Sequence, residues 1–174
     1  MEIYLIRHTT PVLSPGLIYG RTEVELMDSF PAEAEAVQSK LPARLDALYS
    51  SPSRRCVRLA KQLAPAFRID DRLCEFNFGD WEGKTWDTVD PDQSKAWMDD
   101  FVHICSPNGE SMLQMNKRVQ SFWMELVNQN YQNAGVITHG GVIRLLVAAD
   151  QKLPLASAFT IKISYGDVVV LRPR

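Results

Sequence analysis

The sequence predicts an α/β protein, a three-layer α/β/α sandwich whose central sheet is mostly parallel and carries a hairpin at one edge. Two observations predict it. Short apolar runs rich in β-branched residues alternate along the chain with amphipathic helical stretches, the pattern of helices packed on a parallel sheet. Late in the sequence, two apolar runs flank Tyr165-Gly166-Asp167, a probable hairpin turn.

The elements follow in order. Met1–Ile6 is a short buried strand, and Pro11 to Glu25 is a loop broken by Pro15-Gly16 and Gly20. Ala32–Leu41 consists of strong helix formers and stops at Pro42. Ala47–Ser50 is a short strand; Ser51-Pro52-Ser53 offers caps to an amphipathic helix, Arg54–Leu63, which ends before Pro65. Phe67–Asp70 is a further strand, Leu73 to Thr85 is irregular with two glycines, and Asp92–Val102 is helical. After the Asn108-Gly109 turn, Ser111 to Gln129 forms a long helix, with Met112, Met115, Val119, Phe122, Trp123 and Leu126 at helical spacing. Val136–Thr138 is a buried strand and Gly141–Ala149 a buried helix. Ala158–Ser164 and Val168–Leu171 are the hairpin strands.

With 174 residues, the chain suits one domain spanning residues 1–174, with enough length for a full core. Its apolar and charged fractions, 45% and 23%, are ordinary for a globular protein. A net charge of −2 argues against a broad nucleic-acid surface, so any anion site must be local. Cys56, Cys74 and Cys105 are odd in number and widely spaced, which argues against a disulfide framework or zinc site and makes a reducing cytoplasm the expected compartment. Glu2 and Arg7 flank only a four-residue apolar run, so no secretory signal is expected, and no stretch approaches the ~20 apolar residues of a membrane span.

Four places could carry chemistry. Arg7 and His8 end the first strand, and His139 ends the strand "GVIT" before Gly140-Gly141 and a helix. The carboxyl ends of parallel strands are where open α/β sheets bind ligands, and a glycine-led helix N-terminus favours an anion. Arg54, Arg55 and Arg58 crowd the start of a helix, where the dipole disfavours cations unless an anion is near. Glu75 lies among Leu73, Phe76, Phe78 and Trp81, a setting that would raise its pKa as a general acid requires. Other chemistries fail on sequence. Cys105 has Ser111, not arginine, six positions later. There is no G-x-x-x-x-G-K-[ST], G-x-G-x-x-G or H-E-x-x-H, and no Asp/His spacing for a metal pair, so neither metal nor cofactor is expected.

Together, "LIRH", "YSSPSRR", "LCEFNFGDWEG", "NGES" and "VITHGGVIR", in that order, resemble the histidine phosphatase superfamily with its phosphoglycerate-mutase-like fold. Within it, "RHTTP", "YGRTEVEL" and "FGDWEG" are most similar to the alpha-ribazole phosphatase branch of cobalamin assembly. The resemblance implies a phosphomonoesterase with His8 as the phosphate-accepting nucleophile. Arg7, Arg55 and His139, the last as an imidazolium, would form a cationic pocket with Gly140, and Glu75 would be the proton donor. Arg54 and Arg58 match no required position. Thr9 stands where the common form has glycine, Leu59 where many relatives have threonine, and Glu23 where close relatives often have aspartate.

The implied partner is a small phosphorylated metabolite, with no role for nucleic acid or membrane. A mutase on the same fold, a broad-specificity phosphatase and a non-catalytic phospho-ligand binder are the alternatives. For the substrate, residues 84–108 matter. They carry Asp87, Asp90, Asp92, Asp99 and Asp100 against Lys84 and Lys95, together with Trp86, Trp97 and Phe101. Folded over the pocket, they would repel a second anion and could stack on a base, which fits alpha-ribazole 5′-phosphate.

Overall fold

The computed structural model describes residues 1–173. Five strands, β1 (Glu2–Arg7), β2 (Ala47–Ser50), β3 (Arg68–Ile69), β4 (Asn133–Thr138) and β5 (Val168–Leu171), form one sheet in the order β3-β2-β4-β1-β5. All neighbours are parallel except β5, which runs antiparallel to β1 at the edge. The helices are α1 (Phe30–Gln38), α2 (Arg54–Leu63), α3 (Pro91–Asp99), α4 (Met112–Val127) and α5 (Gly140–Asp150).

Side-chain alternation along β1 explains the layers. Ile3 and Leu5 join an apolar cluster with α4 and α5, while Tyr4 and Ile6 join another with α1 and α2. β1 is therefore apolar on both faces, as a central strand covered by helices on both sides must be. The helix starts are locally encoded. Ser111 and Gln114 form a capping box at the start of α4, and the Asp90 side chain accepts from the Gln93 N–H at the start of α3. No helix among the described residues is long and apolar enough to cross a membrane.

The expected edge hairpin is corrected. Residues Leu155–Thr160 form a 3-10 helix rather than a strand, and β5 pairs with β1. The alternation of Phe159, Ile161 and Ile163 resembles a strand, but these side chains do not share one environment: Phe159 is exposed and Ile163 buried. The carbonyls of Ile161 and Ile163 accept hydrogen bonds from arginine side chains instead of a neighbouring strand. Other boundaries shift by a few residues. β3 keeps only Arg68–Ile69, and β4 begins earlier, at Asn133.

Candidate active site

The parallel register brings three strand ends together. Arg7 pairs with Thr138, so His8 and His139 emerge side by side, with ring centroids 5.3 Å apart. Ser51 follows β2, and its N–H donates to the Ile137 carbonyl at 2.9 Å. The site thus lies at the carboxyl ends of β1, β4 and β2, as expected for an open parallel sheet.

Both histidines are buried and held by hydrogen bonds. His8 Nδ1–H donates to its neighbour, the Thr9 carbonyl, at 2.8 Å, which leaves Nε2 with a free lone pair. Burial first, then the Arg55 and Arg7 charges, push its pKa down to about 3, so the ring is neutral near pH 7. His139 Nε2 lies 2.8 Å from Ser51 Oγ, and its Nδ1 lies 3.3 Å from an Arg55 terminal nitrogen, which is always a donor. Nδ1 therefore accepts, and Nε2–H donates to Ser51. Burial and the Arg55 charge hold His139 well below the usual histidine range. Where the sequence suggested an imidazolium, the structure has a neutral ring.

Arg55, on the first turn of α2, is 1% exposed. Its terminal nitrogens donate to the carbonyls of Gly20 at 2.8 Å and Thr22 at 3.0 Å. Arg7 donates to the Ile163 carbonyl, and its guanidinium lies 3.8 Å from the Tyr165 ring centroid. Among the described residues, neither arginine has a carboxylate within 4.0 Å, and the Nε of each is buried without a partner. Gly140 allows this packing: a Cβ there would stand 3.2 Å from Arg7 Cζ. Arg54 and Arg58 are exposed, as expected. The α2 N-terminus is served by Glu23, whose carboxylate accepts the Arg54 N–H at 3.1 Å.

Glu75 is half-buried. Its oxygens accept the N–H groups of Phe76 at 2.9 Å and Gly141 at 3.1 Å. The rings of Phe76, Phe78 and Trp81 pack with Trp97, so the apolar setting expected for the carboxyl belongs to the core beside it. Two further residues hold this segment, and the sequence reading missed both. Arg118 donates to the carbonyls of Arg72, Cys74 and Glu75 at 2.7, 2.7 and 3.0 Å, and pairs with Glu110 at 2.7 Å. Glu82 accepts the N–H groups of Arg21 and Thr22 at 2.9 and 2.7 Å, fixing the loop whose carbonyls receive Arg55.

A cavity of about 200 Å³ opens beside these groups, lined by Arg7, Tyr19 and Glu75 on the polar side. His8, Arg55 and His139 are buried and do not line it. Tyr165 packs against His8, and its hydroxyl meets that of Tyr19 at 3.0 Å. The aspartates of residues 84–108 are not on the wall, which corrects the expected acidic cover. Of the three aromatics there, Trp86 lines the cavity, while Trp97 is core and Phe101 packs on it. Arg144, Tyr19, Tyr165 and Ser51 were also not singled out as site residues. All four did stand inside quoted stretches: Tyr19 opens "YGRTEVEL", Tyr165 opens the Tyr165-Gly166-Asp167 turn, Arg144 is one helical turn beyond Gly140, and Ser51 precedes the arginine run by three residues.

The profile of the histidine phosphatase superfamily (branch 1) matches residues 3–174, and the chain belongs to that family. It is 31% identical to putative phosphoserine phosphatase 2 of Hydrogenobacter thermophilus, over 84% of this chain and 76% of that one. It is 28% identical to the adenosylcobalamin/alpha-ribazole phosphatase of Escherichia coli K12, over 95% of this chain and 87% of that one. The crystal structure of the alpha-ribazole phosphatase from Shigella flexneri superposes with a TM-score of 0.90 at 27% identity, covering 100% of this chain and 91% of that one.

Proposed function

We propose that the protein hydrolyses small organic phosphomonoesters in two steps, through a phosphohistidine on His8. The observation that carries this reading is the pair of arginines, half-buried Arg7 and buried Arg55, whose Nε atoms are buried with no partner among the described residues and which flank a neutral histidine with a free Nε2. Unpaired buried donors are costly unless an anion takes them up. Arginine offers planar, forked donors suited to phosphate oxygens.

In the first step His8 Nε2 attacks phosphorus, the P–O bond to the alcohol breaks, and Glu75 as the acid gives its proton to the leaving oxygen. In the second, Glu75 as carboxylate takes a proton from water while the water oxygen attacks phosphorus. The N–P bond breaks, phosphate leaves, and the lone pair returns to Nε2. Charge on the equatorial oxygens is met by the guanidiniums of Arg7 and Arg55, while neutral His139 accepts from Arg55 through Nδ1 and holds it in place. Non-catalytic binding would need neither the free Nε2 nor a carboxyl held against Gly141.

The alcohol is a finer question. Alpha-ribazole 5′-phosphate keeps two supports, similarity to phosphatases of that name and the indole of Trp86 on the cavity wall. It loses the argument from an acidic cover. The test of the two-step reading is chemical. Enzyme quenched during turnover of labelled substrate should carry one acid-labile, base-stable phosphoryl group, absent from His8→Ala. Acid-stable label, or label that persists in His8→Ala, overturns it.

A further inference from the structure

Arg144 is unexplained by the two-step reading, on which this inference rests. It lies on α5 one turn past Gly140 and lines the cavity. A Cβ on Gly140 would stand 3.5 Å from an Arg144 terminal nitrogen and 3.2 Å from Arg7 Cζ, so two guanidiniums flank that glycine. Burial first, and then the neighbouring Arg7 charge, lower the Arg144 pKa from its usual value. Since arginine stays protonated regardless, the strain is borne as charge. Among the described residues one of its five N–H donors is used, Nε to the Ile161 carbonyl at 2.9 Å. No carboxylate lies within 4.0 Å among the described residues. Glu75, the carboxylate on the cavity wall, is already held by the Phe76 and Gly141 N–H groups. A residue serving only to tether the Ile161 backbone would not need a guanidinium facing an otherwise largely apolar wall of Leu17, Phe78, Trp86 and Met115.

We propose that Arg144 is a second anion site in this cavity, and that it selects phosphomonoesters whose alcohol carries a carboxylate. The phosphoryl group goes to Arg7 and Arg55; the carboxylate, at the other end of a short carbon skeleton, takes the free edge of Arg144. A bidentate arginine–carboxylate pair in a partly desolvated pocket is directional and charge-assisted, which gives discrimination against esters lacking the acid. Alpha-ribazole 5′-phosphate, charged on its phosphate alone, gives Arg144 no counterion.

The experiment uses two pairs of esters that differ by the carboxylate: O-phospho-L-serine against phosphoethanolamine, and 3-phosphoglycerate against glycerol 3-phosphate. The protein should prefer the acid in at least one pair by about tenfold or more in kcat/KM. Arg144→Gln should bring that ratio to near unity, and Arg144→Lys should leave it in between. Each ratio is taken on one enzyme sample, so incomplete folding of a variant cancels. No preference in either pair, a preference that survives in Arg144→Gln, or a higher kcat/KM for alpha-ribazole 5′-phosphate than for either acid overturns the proposal. Calorimetric binding of the same four esters to His8→Ala, with and without Arg144→Gln, reads the subsite without turnover. A loss of carboxylate preference there supports the Arg144 site even if the phosphohistidine reading fails; equal affinities overturn it even if that reading stands.

Discussion

Replacing Gly141 by alanine should separate folding from proton transfer. Gly141 sits in the first turn of α5, and an ideal Cβ built on it lies 2.2 Å from Glu75 Oε1 and 3.2 Å from Glu75 Cδ. The carboxylate must retreat by about 1 Å to reach ordinary contact, because the new methyl group is fixed to the helix and the glutamate is the flexible partner. The retreat strains the 3.1 Å hydrogen bond from the Gly141 N–H, worth ~1 kcal/mol. Alanine in place of glycine in a helix returns up to ~1 kcal/mol. The net stability change is therefore near zero, and the unfolding midpoint should stay within about 4 °C of the native one. Catalysis should respond very differently. Displacing a reacting group by about 1 Å can cost ~10²-fold. That loss should appear in kcat for alkyl phosphates, whose alkoxide needs a proton, and be much smaller for p-nitrophenyl phosphate, whose leaving group does not. Glu75→Gln, which keeps the shape but cannot carry the proton, should show the same split. Equal losses on both classes of ester, or none on either, would refute the assignment of Glu75 as proton donor.

Two other outcomes follow from the same site. In the proposed mechanism Arg7 and Arg55 neutralise the phosphoryl charge, so hydrolysis of p-nitrophenyl phosphate should persist in excess chelator; activity lost to chelator and restored by a divalent cation would contradict this. Stability should fall on mild acidification. Between pH 7 and 5 the unfolded chain takes up a proton at His8 that the native chain, with a pKa of about 3 there, does not, at a cost of ~2 kcal/mol, and His139 acts in the same direction. Urea midpoints measured across that range should decline, and His8→Asn should flatten the slope; an unchanged slope in the variant would mean that His8 takes up its proton at the same pH in the native as in the unfolded chain.

How much of this was legible in the chain depends on how local each signal is. The order of strands and helices could be read from alternation and caps, because those depend on neighbours in sequence. Arg7, His8, Arg55, Glu75, His139 and Gly140 were singled out because each stands at a strand end, a helix start or within a recognisable motif; the structure brings them near one another, with Arg7 and Glu75 on the cavity wall. The misread strand at 158–164 has the right period, but the Ile161 and Ile163 carbonyls are taken by Arg144 and Arg7, contacts between residues far apart in sequence. Arg144 and Arg118 were missed because each looks like an ordinary helix arginine. Only packing shows that one faces a cavity and the other gathers three carbonyls around Glu75. The aspartates of 84–108 were over-read for the same reason, since charge composition says nothing about which way a segment faces.

The two carbonyls that hold the cavity arginines have a consequence for how the protein is made. Arg7 is fixed by Ile163, 156 residues away, and β1 gains its antiparallel neighbour only from Val168–Leu171. During synthesis the amino-terminal strand and its histidine emerge first, but the last contacts that shape their surroundings emerge late in the chain. Contacts this distant in sequence are slow to close. A nascent or carboxyl-truncated chain therefore displays His8 without the arginine geometry around it. Recovery of phosphatase activity during refolding should lag behind formation of α2 and α4, and so reports the closing of the whole chain rather than the growth of its helices.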